Sequence, residues 1–285
     1  MIKLRRAGQR HRLHSGGQTL WLTFYPVPHT EVAHEDPLAN GFGALTTLNE
    51  GRLEPEGNLL TYSRRGTEMV SYVVEGTMSH RDGSGSARLI QAGDFQCSAV
   101  PHGDRVSYTN ASGRDSLHVL QLSLSNQQSR RSRIPQQKSF PIRDRSAAIC
   151  LVGSEDGRQG TLILDQDVLL YSCVLHAGQR VVHSLAEDRI VWLQVVRGEV
   201  SLGDTSLAPG DGAGICLTRA VSLSALSDAE VVLLDLAMND AYLPAELDGR
   251  ERGVRAAPRQ GVAAASGAAH NEFMFRRERR LAISP

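Results

Sequence analysis

The sequence predicts an all-β protein made of two similar antiparallel units. Short apolar runs alternate with turn signals, such as Glu-Pro-Glu-Gly at 54–57 and Ala-Gly-Asp at 92–94, and this spacing is typical of a sandwich or barrel. The run Val-Val-Glu-Gly at 73–76 has a counterpart in Val-Val-Arg-Gly at 195–198, and the Gly-Asp turn has one in Pro-Gly-Asp at 209–211. Two copies of one structural unit explain both repeats.

The order of these signals predicts four regions. The apolar runs at 117–124 and 229–236 each close one unit, and the polar, arginine-containing stretch that begins at Ser125 has the composition of a linker. We therefore expect an N-terminal barrel over 1–124, a linker over 125–145, a C-terminal barrel over 146–237 and an extension over 238–285 that is partly disordered or docked. Within the first unit, residues 20–24 read as a strand, and Asp-Gly at 82–83 suits a tight hairpin.

Composition excludes several classes of function. The 285 residues carry a formal net charge of +0 and are 41% hydrophobic, so no overall field would steer the protein to nucleic acid. No apolar run approaches the roughly 20 residues of a membrane span, and we expect a cytoplasmic protein. The tail combines Phe-Met-Phe at 273–275 with arginines; we expect it to dock or to be solvated, with binding to RNA or an acidic surface as the alternative.

The cysteines and the first histidines do not form a recognisable metal motif. The four cysteines are widely spaced, and we expect buried, reduced thiols, with redox sensing as the alternative: Cys97, Cys150, Cys173 and Cys216. His11 and His14 would have metal-ligand spacing only on a helix, and we expect them to be solvated or hydrogen-bonded.

A motif in the first unit carries a family resemblance. The stretch 61–76 reads Thr-Tyr-Ser-Arg-Arg-Gly-Thr-Glu and continues into a strand that ends in Glu-Gly. It resembles the first motif of the metal-binding cupins of the pirin family, in which a His-x-His pair is followed four positions later by an acidic residue. Tyr62 and Arg64 stand at the two histidine positions, and Glu68 keeps the acidic one.

The second motif shows the same pattern of a kept framework and replaced ligands. Counted from the Gly-Asp turn at 93–94, Asn110 stands where the family has its asparagine. Val106 occupies the position of the third histidine, and Tyr108 that of the family's glutamate ligand. The segments 175–179 and 192–198 resemble the C-terminal half of bacterial pirins, which carries no metal. The resemblance covers about residues 8 to 237 and implies a bicupin, with two tandem jelly-roll-like cupin barrels.

The replaced residues bear directly on cofactor use. A site of three histidines and one carboxylate offers neutral and anionic lone pairs to iron. Valine has no donor atom, and the permanent charge of arginine repels a cation. We therefore expect no metal cofactor. Iron or another divalent metal would be needed if the chain is an oxygenase, and a ferric site with tyrosine ligands, reached by His80 or His102, is the alternative arrangement.

The same positions define a candidate pocket. Tyr62, Arg64 and Tyr108 would offer hydroxyl donors and a guanidinium to a small phenolic or anionic ligand. The alternative is a barrel that these bulky side chains simply fill. We expect Glu68 to form an ion pair with Arg64 or Arg65.

Two functions follow from the resemblance. The first is a metal-free binding or regulatory protein that acts through a small ligand or a protein partner. The second is an oxidoreductase of the quercetin 2,3-dioxygenase type, because several pirins have that activity. The replaced ligands favour the first.

Overall fold

The computed structural model of this chain describes residues 1–24, 36–62, 67–81, 87–100, 105–125 and 135–238. These residues form strands almost throughout, and the strands divide into two tandem units. The predicted all-β class with two similar units is therefore confirmed. No helix in the described ranges is long and apolar enough to cross a membrane.

The elements follow one another in chain order. The first half contains β1 (Ile2–Arg5), a 3-10 turn (Ala7–Gln9), β2 (His11–Ser15), β3 (Gln18–Leu22), β4 (Leu45–Leu53), β5 (Asn58–Tyr62), β6 (Thr67–Glu75), β7 (Thr77–Arg81), β8 (Ala87–Gln91), β9 (Asp94–Val100), β10 (Arg105–Asn110) and β11 (Leu117–Leu124). The second half contains β12 (Gln136–Ser139), α1 (Ile142–Arg145), β13 (Cys150–Ser154), a 3-10 turn (Arg158–Gly160), β14 (Leu162–Ile163), β15 (Val168–Leu175), β16 (Arg180–Ser184), β17 (Arg189–Arg197), β18 (Val200–Leu202), β19 (Thr205–Leu207), β20 (Gly212–Ile215), β21 (Ala220–Ala225) and β22 (Ala229–Ala237).

In the part of the chain that the structure describes, the strands form four mainly antiparallel sheets that make two sandwiches. In the N-terminal sandwich, a seven-stranded sheet of order β12-β9-β6-β11-β4-β3-β2 faces the four-stranded sheet β5-β10-β7-β8. In the C-terminal sandwich, the sheet β1-β20-β17-β22-β15-β13-β14 faces the sheet β16-β21-β18-β19. Each half thus buries one face of a large sheet against a small one, as jelly-roll folds do.

Among the described residues, three apolar cores hold these layers together. One lies inside the N-terminal sandwich and includes Met69, Val73 and Tyr108. A second fills the C-terminal sandwich. The third lies between the two large sheets, where the outward face of β6 packs against β17 and β22. Alternating side chains of one strand therefore serve two different cores, which explains why β6 and β17 are buried on both faces.

Glycines in β20 make room for the aromatic centre of the interface. Phe24 and Phe42 lie 4.7 Å and 5.6 Å from Trp192, measured between ring centroids. A Cβ atom at Gly214 would come within 2.4 Å of the Phe42 ring, and one at Gly212 within 2.3 Å of the Trp192 ring. Both distances are too short for real contacts, so this packing requires glycine at both positions.

The two halves exchange their first strands, so strand pairing crosses the expected boundaries at 1–124 and 125–145. β1 begins the first half but pairs with β20 of the second, with Ile2 opposite Ile215. β12, inside the expected linker, pairs with β9 of the first half. Each strand covers the edge of the other half's large sheet and satisfies backbone groups that would otherwise be unpaired there. These pairings join segments far apart in the sequence, so local patterns did not reveal them.

The repeat seen in the sequence is a repeat of backbone geometry. A bulge interrupts the pairing of β6 at Val74, and the equivalent bulge in β17 falls at Val196. Each strand is followed directly by a glycine with positive φ, 82° at Gly76 and 64° at Gly198. Through this alignment, β11 corresponds to β22 and β5 to β16.

Most local expectations hold where they can be checked. The runs predicted at 117–124 and 229–236 are strands, and the run at 20–24 is a strand that ends at Leu22. His14 accepts or donates a hydrogen bond with Thr19 at 2.9 Å on an exposed strand. All four cysteines are free thiols; three are buried and Cys150 is half-buried. The turn at 82–83, the segment 126–134 and the chain from 239 onward, including 273–275, lie outside the described residues.

Candidate functional site

Two of the predicted site residues lie inside the N-terminal sandwich. Val106 and Tyr108 alternate along β10 and both belong to the N-terminal core, where they are 8% and 0% exposed. In the sheet, Val106 is opposite Thr61, and Tyr108 is opposite Leu59 on one side and His80 on the other. The structure therefore places these two family ligand positions together, on one interior surface.

Tyr108 is held as a neutral phenol. Its ring stacks on His80 at 4.8 Å, and its hydroxyl donates to the Met69 sulfur at 3.1 Å. Burial raises the pKa of Tyr108 to about 12, although hydrogen bonding with Ser71 and Ser98 acts in the opposite direction. A phenolate at this position, as a ferric site with tyrosine ligands would need, is therefore disfavoured.

Glu68, the acidic position of the first motif, does not face the interior that holds Val106 and Tyr108. Because side chains alternate along β6, Glu68 points with Val70 and Tyr72 toward the interface between the two large sheets. Both of its carboxylate oxygens accept the backbone N–H of Asp165 in the second half, each at 2.9 Å. Glu68 thus links the sandwiches, on the opposite face of the sheet from Tyr108.

The remaining two predicted residues are only partly described. Tyr62 ends β5 with its backbone opposite Arg105, whereas Thr61 is the residue opposite Val106. The side chain of Tyr62 lies outside the described residues, as do Arg64, Arg65 and His102. The expected ion pair of Glu68 with Arg64 or Arg65 stays a prediction for that reason.

A group of buried polar residues near Tyr108 was not identified from the sequence. Ser71, Gln96, Ser98 and Gln121 are each at most 5% exposed and stand at interior positions of β6, β9 and β11. Gln121 donates to Ser71 at 3.4 Å, while neither side-chain atom of Gln96 has a hydrogen-bond partner among the described residues. Polar residues at every second position of otherwise apolar strands were the signal that could have revealed this group.

The described residues at the positions that the resemblance assigns to metal ligands are a poor set of donors for a mononuclear metal. Val106 offers no donor atom, and Tyr108 is a neutral phenol whose hydroxyl donates a hydrogen bond to the Met69 sulfur. Glu68 points to the opposite face of the sheet. In the part of the chain that the structure describes, no three His, Cys, Asp or Glu residues lie close enough to hold a metal ion together.

Comparisons with known proteins identify the family. Residues 46–124 match the family described as Pirin, and residues 151–236 match the family described as Quercetinase C-terminal cupin domain. A protein of Escherichia coli named quercetin 2,3-dioxygenase is 34% identical over 236 residues, which span 83% of this chain and 99% of the relative. The chain belongs to the pirin family.

Other relatives agree with this assignment. A pirin-like protein of Caulobacter vibrioides is 27% identical and aligns over 72% of this pirin and 89% of its own length. Among solved structures, the bacterial pirin YhhW of Escherichia coli, crystallised in complex with nickel(II), has a TM-score of 0.73 and 33% identity. The alignment covers 84% of this pirin and 100% of that chain. Two cupin domains in tandem are thus shown both by family and by fold.

Proposed function

We propose that this pirin is a cytoplasmic binding or regulatory protein that does not use a mononuclear metal. The observation that supports this proposal comes from β10. Its two positions that correspond to family ligands hold Val106 and Tyr108, which are side chains of the apolar core. Val106 is 8% exposed, and Tyr108 is fully buried and stacked on His80, so both contribute to packing. Neither side chain can coordinate a metal in these surroundings.

A small phenolic or anionic ligand is the first class of partner to test, and a protein partner is the second. The Gln96 amide supports the first class, because it is buried without a hydrogen-bond partner among the described residues, and such an amide favours a ligand or water that pairs with it. The hydroxyls of Ser71 and Ser98 lie close enough to the same interior to influence the pKa of Tyr108. A ligand oxygen there would meet several donors on one surface.

The quercetin 2,3-dioxygenase activity is the second candidate. It is favoured by the name of the relative that is 34% identical to this chain. The two candidates differ in metal content, because that family activity is expected to need a metal at the N-terminal positions.

The test is metal analysis together with a turnover assay. The full chain is purified after growth with iron, nickel and manganese, its metal is measured by elemental mass spectrometry, and consumption of quercetin is followed with the Escherichia coli relative as positive control. We expect less than about a tenth of an equivalent of metal and no turnover above the protein-free rate. Near-stoichiometric metal with turnover would overturn the proposal in favour of the oxygenase.

A restored variant sharpens this test. Replacing the four ligand positions with the family's residues, by Tyr62→His, Arg64→His, Val106→His and Tyr108→Glu, should raise the bound metal toward one equivalent. Because this variant changes only the ligands, a gain of metal would assign the difference to those four positions. A wild-type chain that already binds as much metal as the variant would contradict the argument from β10.

A further inference from the structure

A second cluster of titratable side chains lies in the other half of the molecule. It stands at one end of the C-terminal sandwich interior, beyond the apolar core, on interior positions of four strands. We call it the C-terminal polar cluster; its members are Tyr171 on β15, His183 on β16, Arg189 on β17 and Asp235 on β22. The side chains of His183 and Arg189 are each 11% exposed and that of Asp235 is 5% exposed, whereas Tyr171 is half-buried, so the cluster reaches solvent only in part.

Asp235 fixes the hydrogen position on His183. One carboxylate oxygen of Asp235 bonds His183 Nε2 at 2.8 Å, and the other accepts Arg189 Nε at 2.6 Å. Since a carboxylate only accepts, the neutral imidazole carries its hydrogen on Nε2 and a lone pair on Nδ1. Arg189 is fixed in turn by the Asp235 carbonyl oxygen at 2.8 Å and by Asp167 at 2.6 Å.

Tyr171 adds a hydrogen-bond donor beside this acceptor. Its ring meets the His183 ring edge-on, with centroids 4.8 Å apart. Burial, together with the nearby Asp235 carboxylate, raises the pKa of Tyr171, so its hydroxyl stays protonated. Within the described ranges, neither the Tyr171 hydroxyl nor His183 Nδ1 has a hydrogen-bond partner. The cluster therefore presents one free acceptor and one free donor at a half-buried position.

The charges of the cluster select for a neutral ligand. Arg189 is already paired with two carboxylates, so an added anion would lie close to Asp235 and Asp167, and an added cation would lie close to Arg189. The two adjacent aromatic rings favour a flat partner that can lie against them.

The cluster lies at one end of the C-terminal sandwich. The equivalent end of the N-terminal sandwich holds the first motif of the family resemblance. His183 pairs with Val221 as Thr61 pairs with Val106, and Thr61 is next to the first ligand position, Tyr62. Both sandwiches thus have their chemically distinctive residues at the same end.

We propose that the C-terminal polar cluster is a binding site for an uncharged, planar ligand that bears a phenol-type hydroxyl. His183 Nδ1 accepts the hydrogen bond of that hydroxyl, and Tyr171 donates to a neighbouring oxygen of the ligand. Asp235 and Arg189 position the imidazole. The proposal shares its ligand class with the binding role proposed above but does not depend on the metal content of the N-terminal sandwich.

The test is a titration of the full chain, labelled with ¹⁵N in its histidines, with catechol as the probe. The long-range ¹H–¹⁵N spectrum should show His183 protonated at Nε2 and unprotonated at Nδ1, and catechol should shift the Nδ1 signal in a saturable way. 1,2-Dimethoxybenzene keeps the ring and loses the hydroxyl donors, and benzoate adds a negative charge. Neither should shift that signal at the same concentration.

Two variants complete the experiment. His183→Phe, which keeps a ring against Tyr171, should weaken catechol binding at least about tenfold, and the remote control His14→Phe should leave it unchanged. The proposal is overturned if catechol leaves the His183 signal in place, if the other two probes shift it equally, or if His183→Phe keeps its affinity. If that variant fails to fold, the wild-type titration decides. Stoichiometric metal would overturn only the metal-free role, so the two proposals fail separately.

Discussion

The two halves of this pirin share a backbone and differ in where they place polarity. In the first half, buried polar residues such as Ser71 and Gln121 occupy the middle of the sandwich interior. The equivalent positions in the second half are Leu193 and Leu233, in the middle of an apolar core. In the second half, the charged side chain lies two residues further along β22, at Asp235. The equivalent residue in the first half is Ser123. Because the register and the bulges are the same in both halves, this fold tolerates buried polar residues either in the middle of the sandwich interior or at its end.

The comparison extends to two buried arginines that follow the exchanged strands. Arg10 comes after β1 and its 3-10 turn and binds Glu50 at 2.6 Å, while Arg145 comes at the end of α1 after β12 and binds Glu230 at 2.6 Å. Arg145 also donates to the hydroxyls of Tyr72 at 3.0 Å and Ser172 at 2.9 Å, so it joins both halves. The two halves thus have a buried arginine at the same place in the fold, but the two arginines bind different partners.

Replacing the two arginines separately should give the largest difference between the halves. Arg145→Met leaves the buried Glu230 carboxylate with the Tyr72 hydroxyl and the Arg197 guanidinium at 3.7 Å. It also removes the bonds from Arg145 to Tyr72 and Ser172, so we expect a loss of about 3 kcal/mol in the free energy of unfolding. Arg10→Met should lose about 2 kcal/mol, because Glu50 keeps its 2.8 Å contact with His118. Urea unfolding measures both values. Equal losses would contradict the claim that the two arginines differ in their remaining partners.

Acid should destabilise the first half through Glu50, whose counterpart in the second half is the non-titrating Ser172. Burial opposes ionisation of Glu50, but hydrogen bonds from His118 and Arg10 outweigh it and lower its pKa from 4.5 to about 2. A lowered pKa stabilises the fold above the unfolded-state value, and this contribution is lost as pH falls through the folded-state value. We therefore expect about 3 kcal/mol of unfolding free energy to disappear between pH 5 and pH 2.

The matched variant for this prediction is Glu50→Gln. It should be less stable than the wild type at pH 6 and should lose less stability on acidification. If both proteins show the same slope between pH 5 and pH 2, Glu50 is not the responsible group.

The Gly-Asp turns offer a smaller, paired comparison. Asp211 accepts hydrogen bonds from the backbone N–H groups of Ala7 and Ala208 and from the Arg6 guanidinium. Asp94, its equivalent, accepts one backbone N–H and the amide of Gln137. We expect a loss of about 2–3 kcal/mol for Asp211→Ala and about 1 kcal/mol for Asp94→Ala, measured by thermal unfolding. The reverse order would mean that the charged partner contributes little to fixing β1.

Local sequence signals predicted the features that depend on neighbouring residues, namely strands and turns. The strands at 117–124 and 229–237 and the paired glycine turns could be placed because alternation and positive φ leave marks within a few residues. The orientation of Glu68 could not, because the motif fixes its position in the chain and not the face of the sheet on which it lies. The pairing of His183 with Asp235 joins β16 to β22 and could be found only from the fold, although a charged residue inside the apolar run 229–236 was a usable signal.

The exchange of first strands also constrains how the protein is made. The terminal ammonium of Met1 donates to the carbonyl oxygen of Cys216, a residue 215 positions later, at 2.8 Å. During synthesis, β1 leaves the ribosome well before β20 and stays without its partner until most of both sandwiches has been translated. The N-terminal strand is therefore among the last to find its place, and any fusion attached before Met1 would lie beside the edge of the C-terminal sheet.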